Sequence, residues 1–105
     1  MKLLTKGIEK ALPPLDSNDD NPDPAVIVKF FTPWGRFTWY AVEGERVTDP
    51  DDFVFFGYVQ GLDDEWGYFT LHELESIKGF GGYLRVEREL HFEPTPISEI
   101  VKKKM

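Results

Sequence analysis

The stretch FVFFGYVQGLDDEWGYFTLHEL, residues 53–74, decides the fold. Phe53, Phe55, Phe56 and Tyr58 make a dense aromatic run that reads as a strand, Asp52 to Val59. Asp63, Asp64 and Glu65 form an acidic turn, and Glu65 to Phe69 reads as a second, shorter strand. A helix opens at Thr70. Thr70 and Glu73 stand at the two positions of a capping box, and Phe69 and Leu74 at those of a hydrophobic staple. Leu71, Leu74 and Ile77 give this helix an apolar stripe, and Lys78-Gly79 closes it. One segment thus carries two strands, a helix and an acidic surface where strand meets helix.

Upstream, Thr5 is placed to cap a short helix over Lys6 to Leu12, which Pro13-Pro14 ends. Asp16 to Pro24 has no large apolar residue and reads as a solvated, mobile polar loop. Ala25 to Thr32 is β-branched and aromatic, Thr32-Pro33-Trp34-Gly35 is a turn, and Arg36 to Glu43 returns, which predicts an antiparallel hairpin. Gly44 to Asp52 is polar and contains Asp49-Pro50, so it reads as a loop. Downstream, Gly79 to Gly82 is a glycine-rich connection, and the alternation from Tyr83 to Phe92 predicts a half-buried strand. Arg88 falls on its apolar face and needs a carboxylate or carbonyl partner. Thr95-Pro96 opens a C-terminal helix or tail over 95–105.

These elements predict an α+β fold: an antiparallel sheet of about four to five strands with two to three short helices packed on it. Phe30, Trp39, Phe55, Phe69, Leu74 and Leu90 are expected in its core. A chain of 105 residues is expected to be one domain, residues 1–105. Its 16 aromatic residues are enough to fill the core without a disulfide, which the absence of cysteine excludes along with thiolate metal sites. Lys6, Glu9 and Lys10 interrupt any signal-peptide core, and no apolar run approaches the ~20 residues that span a bilayer. The expectation is a soluble, cytoplasmic protein without membrane contact.

The net charge of −7 is uneven. Between Gln60 and Lys78, five carboxylates (Asp63, Asp64, Glu65, Glu73 and Glu75) face a single lysine, whereas the tail carries Lys102, Lys103 and Lys104. An acidic body disfavours direct contact with a nucleic-acid backbone and suits a partner protein with a basic surface. The candidate binding residues are therefore Asp63, Asp64, Glu65, Glu73 and Glu75, with Trp66 and Trp34 as aromatic anchors.

Candidate chemistry is sparse. Glu87, Glu89 and His91 share one face of the strand predicted over Tyr83 to Phe92, at the ~6.5–7 Å spacing of alternate residues. Two carboxylates and an imidazole, joined by Glu43 from another strand, could hold a divalent cation for hydrolysis. The alternative is a solvent-facing polar row neutralised by Arg85. Asp16, Asn18 and Asp20 begin like a calcium loop, but Asn21 and Ile27 stand where that loop requires Gly and Glu. No serine has a nucleophile elbow around it. No cofactor is expected.

A set of short pieces, in order, resembles a family of short bacterial proteins of unknown function found on plasmids, integrative elements and phage-like islands. The pieces are Met1 to Lys6, Leu12 to Leu15, Asn21 to Pro24, Val28 to Pro33, Trp39-Tyr40-Ala41 with Glu43, Phe55-Phe56-Gly57, Gly67-Tyr68-Phe69 with Leu71, Glu73 and Leu74, and Glu87 to Leu90. Trp66 replaces an expected Leu, and Glu89 an expected Asp. The resemblance covers about Met1 to Phe92 and brings no catalytic residues with it. It implies the company of mobile DNA. The expected function is a small, acidic, non-catalytic interaction protein of a mobile genetic element. It would inhibit or regulate a host nucleic-acid-processing or defence complex, in the manner of an anti-CRISPR or anti-restriction protein. The alternatives are a metal-dependent nuclease or hydrolase using Glu87, Glu89, His91 and Glu43, and a structural accessory of a replication or conjugation complex.

The capping box makes a direct prediction. Thr70→Ala should lower stability by about 1 kcal/mol, seen as a lower denaturation midpoint with an unchanged slope. An unchanged midpoint would place the start of the helix elsewhere.

Overall fold

A computed structural model describes the backbone of residues 1–104 and, apart from Phe80 and residues 102–104, their side chains. The lysine run of the tail, Lys102 to Lys104, thus lies outside the described side chains. The elements are α1 (Lys6–Ala11), β1 (Ala25–Val26), β2 (Val28–Phe31), β3 (Thr38–Val47), β4 (Asp52–Gln60) and β5 (Glu65–Thr70), followed by α2 (Leu71–Ser76), β6 (Lys78–Gly79), β7 (Leu84–Arg85), β8 (Glu87–Arg88), β9 (Thr95–Pro96) and α3 (Ile97–Lys104). The architecture is α+β. A five-stranded sheet in the order β5-β4-β3-β2-β8 is antiparallel throughout, and the pairs β1–β9 and β6–β7 stand beside it.

Four sequence expectations change. The strand expected over Ala25 to Thr32 divides at Ile27, whose N–H is taken by the Ala41 carbonyl, so β1 is free to pair with β9. The loop expected from Gly44 is strand as far as Val47, because β4 pairs residue by residue with Gly44 to Val47. Arg46 then ties this end down: its guanidinium holds both oxygens of Glu9 on α1, at 3.0 and 3.1 Å, and Asp51 at 3.2 Å. The strand expected over Tyr83 to Phe92 is instead two two-residue strands, β7 and β8. It ends at Arg88, where the chain turns and the Glu89 carbonyl takes the Phe92 N–H. Leu90 therefore points outward, 59% exposed, and leaves the predicted core. Finally, the polar loop 16–24 is pinned to the sheet, as described below.

The other five predicted core residues are buried. Alternation along the strands sends Phe30, Trp39, Ala41, Phe53, Phe55 and Phe69 to one face, the core face, where they meet Leu3, Leu4, Leu12, Leu74 and Val86. Phe55 is the hub: its ring lies 5.3 Å from Phe30, 5.0 Å from Phe53 and 5.2 Å from Phe69. Arg88 finds its partner in a carbonyl, that of Lys2, which accepts from Nε and Nη2 at 3.2 and 3.1 Å.

The register of β3 against β4 slips between Ala41 and Glu43, a β-bulge that leaves Val42 without a partner in the ladder. Two consecutive side chains, Val42 and Glu43, thereby face the same side of the sheet, and the chain stays buried from Trp39 through Gly44. Opposite the bulge the two backbones come very close. A Cβ on Gly57 would fall 1.9 Å from the Tyr40 carbonyl oxygen, so only glycine fits there. The second face is covered only in part. Val26, Tyr40 and Val42 are buried beneath Ile97 of α3, with Phe92, Ile100 and Val101 packed around them.

Helix α2 is capped as its sequence predicts. Thr70 Oγ1 accepts the Glu73 N–H at 3.1 Å, and Glu73 Oε1 accepts the Thr70 N–H at 3.0 Å. A third acceptor comes from across the fold. Asp52 Oδ1 takes the His72 N–H at 3.1 Å and the Phe53 N–H at 2.7 Å. Burial raises the Asp52 pKa, but the two N–H donors, the nearby His72 ring and the Thr70 hydroxyl more than reverse this and hold it below the usual aspartate value. A lowered folded-state pKa stabilises the fold above the ordinary value of about 3.8 and loses that contribution as pH falls through the lowered one. Asp52→Asn should therefore cost roughly 1 kcal/mol at neutral pH, the difference between a charged and a neutral acceptor. Thermal melts of the two proteins should converge as pH is taken below that ordinary value. A gap that persists unchanged in acid would show that the charge of Asp52 contributes nothing.

Candidate docking surface

The hairpin formed by β4 and β5 pairs Phe56 with Tyr68 and Tyr58 with Trp66. All four side chains lie on the second face, and their rings form a ladder. Phe56 is 4.9 Å from Tyr68 and 5.6 Å from Trp66, and Tyr58 is 5.5 Å from Trp66. Cross-strand aromatic pairs of this kind fix register and stabilise a hairpin edge. Helix α3 covers the neighbouring part of this face, while Trp66 is 43% and Tyr68 62% exposed. Among the described residues, no strand pairs with the outer edge of β5.

Asp63, Asp64 and Glu65 are exposed at the tip of the hairpin, beside Leu62. Trp66 flanks the tip on the second face. Trp34 flanks it on the other side, where it lines a shallow hollow with Gly61, Leu62 and Ile77. Its indole lies against Gly79 so closely that a Cβ there would sit 2.6 Å from the ring. The structure thus brings Asp63, Asp64, Glu65, Trp66 and Trp34 to one end of the sheet.

It does not bring Glu73 and Glu75 with them. The Glu73 carboxylate is engaged with the Thr70 N–H, at the far end of β5 from the tip. Five residue steps of about 3.3 Å separate the two ends of that strand. Glu75 borders a different hollow, with Met1, Leu3, Arg85 and Val86. The five carboxylates that are close in sequence are therefore not one patch.

The alternative cluster is also dispersed. Glu87 lies in β8 opposite Phe31, while His91 lies in the turn beyond the strand end. Phe31 pairs with Thr38, five positions along β3 from Glu43, which puts Glu43 on the order of 15 Å away. Among the described residues, no three histidine, aspartate or glutamate side chains are placed to hold a metal ion.

Glu43 has a different role. It is only 4% exposed, and its carboxylate accepts the Asp16 N–H at 2.8 Å and the Asn18 N–H at 3.0 Å. Asp16 adopts a positive φ of 70°, turning the chain onto the sheet there. At the other end of the loop, Asp23 accepts from the Ser98 N–H at 2.9 Å and the Ser98 hydroxyl at 2.7 Å, and so holds the start of α3. The segment 16–24 is thus fixed at both ends instead of mobile. Between it and the aromatic ladder lies a cleft of about 270 Å³, lined by Asn18, Asp19, Pro22, Glu43, Phe56 and Trp66 among others. Sequence reasoning missed this cleft. The available signal was Glu43 itself, a lone charge closing the apolar run that starts at Trp39.

The fold and the site define a small α+β domain with a half-covered sheet and an acidic, aromatic hairpin. The chain belongs to a family of proteins of unknown function, DUF2958, whose profile matches residues 3–104. The family likeness therefore runs through the C-terminal helix and does not stop near Phe92. No curated protein and no solved structure is similar enough to add to this.

Glu43→Ala should strip two part-buried N–H groups of their charged acceptor, at a cost of about 1 kcal/mol for each hydrogen bond lost. Limited proteolysis should then cut within residues 16–24 faster than in the wild type. Equal cleavage rates would mean that the loop is held by other contacts.

Proposed function

We propose that the protein is a non-catalytic interaction module that docks a basic surface of a partner protein against the β4–β5 hairpin. One observation carries this reading: the exposed aromatic ladder of Trp66 and Tyr68 runs into an acidic tip of Asp63, Asp64 and Glu65. Aromatic side chains supply binding energy at interfaces, and opposite charge supplies orientation and speed. The edge of β5 adds a row of backbone groups open to a partner. The partner in this proposal is a host nucleic-acid-processing or defence effector, whose basic groove the acidic hairpin occupies in place of nucleic acid. The mobile-element setting rests on the family resemblance, and no cofactor, nucleic acid or membrane takes part. A structural accessory role in replication or conjugation uses the same surface and differs in the partner alone. The hydrolase alternative draws no support from the placement of Glu87, Glu89, His91 and Glu43.

The test starts from a partner isolated by affinity capture from a host lysate. Asp63→Lys combined with Glu65→Lys should slow its association at least about tenfold, and added salt should slow the wild type. Association at the wild-type rate by the double variant, at every salt concentration, would remove the hairpin from the interface.

A further inference from the structure

Glu43, at the floor of the cleft beneath the 16–24 loop, is a buried carboxylate held by two backbone N–H groups, and no Lys, Arg or His forms an ion pair with it among the described residues. A buried charge is ordinarily matched by a counter-charge, because leaving water costs several kcal/mol per ion. Glu43 lines the cleft, Asp19 stands exposed at its rim, and Trp66 and Phe56 form an aromatic wall. At about 270 Å³ the space falls just below the ~300–1,000 Å³ of sites that enclose drug-sized ligands, and suits a single long side chain.

We propose that this cleft receives one arginine side chain of the basic partner, an inference that rests on the docking reading above. The guanidinium is planar, and it can stack on the Trp66 indole while its fork of N–H donors turns to Asp19 and to the unused lone pairs of Glu43. Pro22 and Pro24 give the opposite wall an apolar lining for the methylene stem. Lysine offers the charge without the planar stack and is the weaker occupant. The arginine thus supplies the counter-charge that the fold withholds from Glu43. The tip carboxylates, one to three residues before Trp66, steer the basic surface towards it.

The probe is the peptide acetyl-Gly-Arg-Gly-amide, titrated into the full chain and followed by amide and indole NMR. Its neutral isostere, with citrulline in place of arginine, is the control. The arginine peptide should shift the Trp66 indole and the Asn18, Asp19 and Glu43 amides saturably, and the citrulline peptide should not. Trp66→Leu and Asp19→Asn should each weaken binding at least roughly fivefold. Asp19→Asn alters an exposed side chain, so it keeps the test decisive even if Trp66→Leu disturbs folding. Equal binding of the citrulline peptide, shifts scattered over the surface, or an Asp19→Asn protein that binds as the wild type does would overturn the inference. Should the peptide fail while charge reversal at Asp63 and Glu65 still slows partner association, the arginine cleft falls and the docking reading stands. A peptide that binds at the cleft while that charge reversal is silent upholds the cleft and removes the hairpin tip from the interface.

Discussion

The β-bulge at Val42 and Glu43 is the constraint on which the rest of the second face depends. In an unbroken strand one of these two side chains would enter the core face and the other would leave it. The slipped register turns both to the same side. Val42 then packs with Tyr40, Val26 and Ile97, and Glu43 reaches the loop that crosses above it. Gly57 permits this arrangement by letting the two backbones approach where any side chain would collide. A carboxylate with the chemistry of a metal ligand becomes an anchor, and a polar segment becomes one wall of a cleft.

The two faces of the sheet are closed by different means. The core face is sealed by apolar packing around Phe55, supported by α1, α2 and the N-terminal leucines. The second face has a smaller apolar cluster, where Ile97 of α3 covers Val26, Tyr40 and Val42, and beyond it is held by polar clips: Glu43 on residues 16 and 18, and Asp23 on Ser98 at the start of α3. Apolar closure spreads over area, whereas hydrogen-bonded clips fix positions and leave gaps between them. The gap here falls over β5, where Trp66 and Tyr68 remain accessible. An edge strand with exposed aromatics invites association, and the acidic tip restricts which surfaces can accept that invitation.

Helix α2 shows how local and distant signals combine. Its capping box lies within four residues and was legible as a pattern. Asp52 serves the same helix terminus from 20 residues away, because the antiparallel β4–β5 hairpin returns the chain to its starting end. No window of sequence contains that contact, although the pairing that creates it was legible.

The sequence by itself determined the sheet-forming alternation, the hairpins, the two capped helices and most of the core, since these depend on residues adjacent along the chain and on faces repeating every two or 3.6 residues. Five of the six residues expected to be most buried are so; Leu90 failed because alternation says which face a residue takes only while the strand continues. Only the tertiary structure decided where strands break at Ile27 and Val86, and that Gly44 to Val47 continue β3, because partner strands impose those limits. The surface was legible to the same degree. The acidic turn and Trp66 are neighbours in sequence and remain so in space. Trp34 joining them, Glu73 and Glu75 departing, and Glu43 closing on a loop 25 residues away follow from register and from which face each element covers, and register is a property of pairs of strands rather than of either one.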